Sequence, residues 1–228
     1  MIIKLLTKLL IICNILVFII IFQYKGNNWP FDIQFIEAVI AAIVVFIVLI
    51  FCQKKSLKSN NAQAKSIKLG LLSGILWTIE ISINNIIQPP LPARDIIDNI
   101  FWALITLIIL FISISSSYKS NKLIDAIKSG FWSGLASGVV ACLTGLIYIV
   151  FGMKLILSDQ LNIDEWSTKM SLKEVPNMSV YFAYETLAGA IMHLIILGVI
   201  YGLLLGIIGG LISKIIKITN KNKSIKSL

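Results

Sequence analysis

The chain has 228 residues, of which 57% are hydrophobic and only 14% charged, at a mean hydropathy of +0.91. Soluble domains carry about 45–50% apolar and about 25% charged residues, so this composition excludes an ordinary soluble domain. The net charge of +9 does not point to nucleic acid either, because the lysines fall between apolar runs and in the tail and not along an amphipathic soluble face.

Crossing a hydrocarbon core of about 30 Å takes roughly 20 apolar residues in a helix, and the chain offers six such runs. The spans predicted are 5–24, 33–52, 69–87, 96–117, 126–152 and a long last one within 180–212, with its core at 187–212. The fold class expected is all-α: one polytopic membrane domain of six transmembrane helices covering 1–228. Residues 1–24 imitate a signal peptide, with Lys4 and Lys8 ahead of an apolar stretch, but no small-x-small cleavage site follows; an uncleaved first span is expected.

Lysine distribution gives the orientation. If both termini are cytoplasmic, that side holds 15 of the 20 basic residues and the opposite side five: Lys25, Arg94, Lys154, Lys169 and Lys173. Excess Lys and Arg marks the cytoplasmic side, so the N- and C-termini are placed inside and the 153–178 loop outside. Ile is the commonest residue and Lys makes up nearly all of the basic residues, as in AT-rich coding, and a bacterial cytoplasmic membrane is the expected location. The lipid bilayer is then the main partner, with a homo-oligomer or partner membrane subunits as further expectations and no role for nucleic acid.

The later spans differ in texture from the first two. Gly70 and Gly74 lie in the third, Gly130, Gly134 and Gly138 in the fifth, and Gly198, Gly202, Gly206 and Gly210 in the sixth. Residues four apart share a helix face, and small residues there let backbones approach closely inside a membrane. Close packing of the third, fifth and sixth spans is expected, with the fifth and sixth at the centre. The segments IKLGLLSG, from Ile67, and IKSGFWSG, from Ile127, match at five of eight positions. Either an internal duplication or a shared lysine anchor followed by glycine packing accounts for them.

Polar residues inside spans narrow the functional reading. In WTIEISINNIIQPPLPARDIIDNIFW, Trp77 to Trp102, the residues Ser73, Trp77, Glu80, Asn84 and Gln88 form one stripe, and Asp98, Trp102, Thr106, Ser113 and Ser117 form another. Both should face the bundle interior, since an ionised carboxylate against lipid costs several kcal/mol. Glu80 stands 12 residues, about 18 Å, above Lys68 on an upright helix and is the deepest carboxylate.

Arg94, the sole arginine, lies in the turn with Asp98, Glu80 or a ligand anion as candidate partners, and Asp95 or Asp98 as a plain structural one. Glu185 and the sole histidine, His193, in YFAYETLAGAIMH, are candidates at the outer boundary, as is Glu37 near the outer end of the second span. A substrate-binding set of Glu80, Asn84, Arg94, Asp98, Glu185 and His193 follows, opening to the outside.

No H-E-x-x-H, G-x-S-x-G or phosphate-loop pattern occurs, and the cysteines Cys13, Cys52 and Cys142 lack metal-ligand spacing. Neither an enzyme nor a cofactor or metal site is expected. The leading expectation is a small transporter or solute-binding membrane subunit, the alternative a non-transporting assembly, immunity or docking protein using glycine faces. In helix count, orientation and size the chain resembles the substrate-binding subunits of energy-coupling-factor vitamin transporters, a likeness of architecture that no motif carries. A cysteine introduced in the 153–178 loop is expected to react with an impermeant thiol reagent on intact cells; labelling only after lysis would reverse the orientation.

Overall fold

A helix in hydrocarbon must satisfy its own backbone hydrogen bonds, and long helices are what this sequence forms. The computed structural model describes residues 2–24, 61–169 and 177–226. The second predicted span, 33–52, and Glu37 with it lie outside the described residues. The elements are α1 (Ile2–Tyr24), α2 (Asn61–Ser82, continued by a π-helical turn at Ile83–Ile87), α3 (Ala93–Ser120), α4 (Leu123–Phe151), the short α5 (Met153–Ser158) and α6 (Gln160–Lys169), α7 (Met178–Met192), a π-helical segment (His193–Ile200) and α8 (Tyr201–Lys226). No strand occurs among the described residues.

Five stretches are long and apolar enough to cross a membrane: Ile2–Tyr24, Ala62–Ile87, Ala93–Ser120, Leu123–Phe151 and Met178–Asn220. The protein is therefore an all-α, multi-pass membrane protein. Several helices outrun their predicted spans. Helix α2 begins at Asn61 and not near residue 69, so NAQAKSIK is helical and not loop, and Arg94 stands in the first turn of α3. Polar residues with good helix propensity extend the helices beyond the apolar runs, which hydropathy alone does not detect. The 153–178 connection, the one loop long enough to carry folded structure outside the membrane, holds α5 and α6.

Helix α4 is the axis. Of its membrane-length window 67% is buried, against 28–39% for the other four. Its buried face is built from Ala126, Ser129, Gly130, Ser133, Gly134, Ala136, Ser137, Gly138 and Ala141, small residues that let neighbours approach on several sides. Leu6, Leu10, Cys13, Val17 and Ile20 of α1 pack with Leu135, Val139, Cys142 and Leu146 in the largest apolar cluster.

On another side the glycine ladders interlock. A Cβ at Gly138 would lie 2.6 Å from the His193 carbonyl, one at Gly202 2.7 Å from that of Gly130, and one at Gly206 2.8 Å from Ile127 Cα. Gly134 meets Gly198 and Gly202, and Gly210 meets Leu123 and Ala126. These pairings run α4 antiparallel to the π segment and α8, backbone against backbone.

Gly70 of α2 faces Ser133 and Ala136, and Gly74 faces Val140, so the matching IKLGLLSG and IKSGFWSG segments lie side by side on parallel helices. All nine glycines expected to serve packing are thus occupied within the chain. The resulting direction of the helices gathers Lys65, Lys119, Lys122, Lys128 and Lys217 at one end, where Lys217 Nζ reaches Asn121 Oδ1 and stands 4.8 Å above the Tyr118 ring. Asp95, Asp98 and Asp159 lie at the other.

The close approach gives a direct test. Gly134→Ala is expected to lower stability in detergent by about 1–3 kcal/mol through overpacking. Gly189, around which nothing lies within 4 Å, is expected to accept alanine with no loss and up to about 1 kcal/mol of gain from helix propensity. Thermal unfolding of both variants checks the pair; equal shifts would contradict the assignment of Gly134 to the helix contact.

Candidate functional site

The two polar stripes meet across the α2–α3 turn. Asn84 Nδ2 donates to Glu80 Oε1 at 2.8 Å and to Asp98 Oδ1 at 2.9 Å. One amide nitrogen has two hydrogens, and here both go to carboxylates from facing helices. Asn84 sits in the π turn Ile83–Ile87, whose wider winding shifts side chains off the register of a regular helix. Gln88 ends that turn in the left-handed conformation, φ 54°, with its N–H bonded to the Ile83 carbonyl at 3.1 Å.

Glu80 is only 7% exposed, while Asn84 and Asp98 are half-buried. Among the described residues Glu80 Oε2 and Asn84 Oδ1 are buried acceptors without a hydrogen-bond partner, and Arg94 Nε is a buried donor without one. Unmet buried polar atoms are costly, and each in a native structure needs an explanation.

Toward the bundle interior an aromatic layer adjoins the polar node. Trp77, one turn from Glu80, meets Trp102 edge-on with centroids 5.1 Å apart and His193 at 4.7 Å. Trp102 in turn meets Tyr201 at 6.0 Å, and the Tyr201 and Thr106 hydroxyls are 3.0 Å apart. His193 Nδ1 lies 2.8 Å from the Gly189 carbonyl. Arithmetic on an upright α-helix put His193 at the outer boundary; its contact with Trp77 puts it inside the bundle. Gly198 packs at Gly134 and Gly70 at Ser133, so Lys214, well past Gly198 on α8, lies far below the level of Lys68, and a count from it overstates the height of His193.

Arg94 does not pair with Glu80, Asp95 or Asp98. Its Nη2 donates to Asp159 Oδ2 at 2.7 Å and to the Asn84 carbonyl at 2.8 Å. Asp159 joins α5 to α6, and Gln88 Nε2 adds bonds to the Leu155 carbonyl at 2.8 Å and to Ser158 Oγ at 3.3 Å. The segment after α4 is therefore fastened over the α2–α3 turn beside the node. Nothing in the spacing of Arg94 pointed to Asp159, which is 65 residues away.

Glu185 is the candidate the structure leaves apart. It is exposed on α7, and on a helix wheel it stands about 80° from His193, eight residues on. Of the expected set, Glu80, Asn84, Arg94 and Asp98 come together directly, His193 joins through Trp77, and Glu185 stays outside. Tyr201 was missed because it sits among glycines and aliphatic residues with no polar stripe of its own.

No family model, curated protein or solved structure matches the chain. Among the described residues no group of three or more His, Cys, Asp or Glu is placed to hold a metal ion. What the node offers is two carboxyl groups and an amide oxygen on facing helices, with one arginine nearby.

The Arg94 to Asp159 pair has side chains 16% and 7% exposed, and losing one partner of a buried pair costs several kcal/mol because the other charge is stranded. Arg94→Ala and Asp159→Ala are each expected to lower the unfolding temperature, with the double variant well short of the summed losses. Additive losses in that cycle would show that the pair is not coupled.

Proposed function

We propose that the protein binds a small cationic or polar solute at the Glu80, Asn84 and Asp98 node, and that it is a small transporter or the solute-binding membrane subunit of one. The observation that carries this reading is the sharing of one amide nitrogen between two carboxyl groups. It leaves acceptor oxygens of Glu80 and Asn84 unmet in a buried place. Two nearby carboxylates repel when both are ionised, and a positive group seated between them and the Asn84 oxygen removes that repulsion and supplies the missing donors. With two carboxyl groups and an amide, the oxygen set suits an ammonium group or a weakly held ion better than a tightly bound transition metal.

Access follows from the fold. Asn84 and Asp98 are half-buried where Glu80 is buried, so the node opens at the acidic end of the bundle, which the lysine asymmetry assigns to the outside. The aromatic rings of Trp77, Trp102 and Tyr201 close it below, and an aromatic wall is compatible with a cation through the ring quadrupole. Docking of a partner through glycine faces has less support, because those faces already join α2, α4 and α8 within the chain.

The test uses purified protein with a panel of inorganic cations and small organic ammonium ions, read as ligand-dependent thermal stabilisation and as uptake into proteoliposomes. A responding ion is expected to lose about tenfold or more in apparent affinity with Glu80→Gln, which removes a charged contact of about 1.5–3 kcal/mol. Glu185→Gln is expected to change nothing. A Glu80→Gln protein that folds and responds like the wild type would remove Glu80 from the site.

A further inference from the structure

The lysine-rich end carries a second polar feature that the solute site does not use. A cavity of about 100 Å³ lies between the ends of α2, α3 and α4, lined by Lys65, Ser66, Ser115, Ser116, Lys119 and Ser129. One ordered water needs only about 10–15 Å³, so the space takes a small polyatomic group. Among the described residues no acidic side chain lines it. Asp125, the nearest acidic side chain on α4, is directed to Lys128 at 4.0 Å.

Two of the four hydroxyls are already used, since Ser66 Oγ donates to the Ala62 carbonyl at 3.0 Å and Ser116 Oγ to the Asp125 carbonyl at 3.1 Å. Ser115 and Ser129 make no side-chain hydrogen bond among the described residues. Ser129 is also only 5% exposed, and it lines the inner part of the lysine-rich end through α4. Lys65 and Lys119, each carrying three ammonium donors, and the two hydroxyls that make no bond thus line one space from three different helices.

From this lining we infer that the cavity binds a phosphate group. A phosphate offers three or more strong acceptor oxygens around one centre and carries the compensating negative charge. A carboxylate, with two oxygens in a plane, would leave part of the donor set unmet. The mouth of the cavity includes Phe111, 64% exposed on the outer face of α3, which places an apolar surface beside the charged one. A phospholipid headgroup with its chain along Phe111 meets both; free inorganic phosphate meets the first alone.

The experiment measures binding to the full-length protein in neutral detergent. Native mass spectrometry with short-chain phosphatidylglycerol, and diacylglycerol of the same chains as the phosphate-free control, is run beside thermal stabilisation by inorganic phosphate. Saturable one-to-one binding of phosphatidylglycerol but not of inorganic phosphate assigns the site to a headgroup, and response to both assigns it to the phosphate group from either source. Lys65→Gln and Lys119→Gln are each expected to weaken binding about fivefold, and together about 25-fold. Ser129→Ala is expected to cost about a further fivefold. Lys128→Gln, an exposed lysine beside the cavity and not in it, is the control for diffuse attraction and is expected to change binding less than twofold. The proposal fails if neither phosphate probe binds saturably. It fails equally if the double lysine variant binds as the wild type does, or if Lys128→Gln weakens binding as much as Lys65→Gln.

Discussion

The rest of the bundle depends on the backbone contact between α4 and the long last helix. In a bilayer, helices gain nothing by hiding apolar side chains from lipid, so association rests on packing and on polar contacts. At Gly130, Gly134 and Gly138 there is room for neither a β-carbon nor a water, and the facing backbone is that of Gly198, Gly202 and Gly206. This fixes the lengthwise register of the two helices. It thereby sets which residues of the π segment stand level with Trp77, and so where His193 meets the aromatic layer.

Packing on α4 also positions the polar node indirectly. Helix α2 lies against α4 through Gly70 and Gly74, and the Thr78 and Thr144 hydroxyls, 2.9 Å apart, tie the same pair of helices farther up. That contact turns the neighbouring side of α2, carrying Trp77, Glu80 and Asn84, toward α3. Regular helix carries the register as far as Ser82 and a π turn carries Asn84 beyond it. Both regions of π winding border the candidate site, one bearing Asn84 and the other beginning at His193. Departures from α-helical winding concentrate where side chains must be re-aimed, and each persists only if the surrounding packing holds it.

Much of this arrangement could be read from the sequence. Runs of apolar residues gave the described spans, spacing of four gave the glycine faces, and spacing of three and four gave stripes that do meet, Asn84 with Asp98 and Trp77 with Trp102. These are local periodic properties, and a helix converts them directly into direction. Helix ends were less legible, because polar residues such as those at 61–68 continue a helix without any hydropathy signal. Contacts that depend on chain return were not legible at all. Arg94 finds Asp159 only because α5 and α6 fold back over the turn, and Glu185 misses the node because α7 turns it to the surface.

Glu80's depth along α2 has an electrical meaning. Counted from Lys68 it lies about 18 Å up a core of roughly 30 Å, which leaves about 12 Å between it and the acidic side. A charge resting there has crossed about 0.4 of the thickness, and the full membrane voltage is worth about 2.3 kcal/mol per elementary charge for each 100 mV. A positive group beside Glu80 therefore feels roughly 1 kcal/mol per 100 mV that the same group at the surface does not. If the node takes a positive solute as proposed, with the lysine-rich end inside, a negative interior draws that solute inward and the membrane voltage contributes to its occupancy.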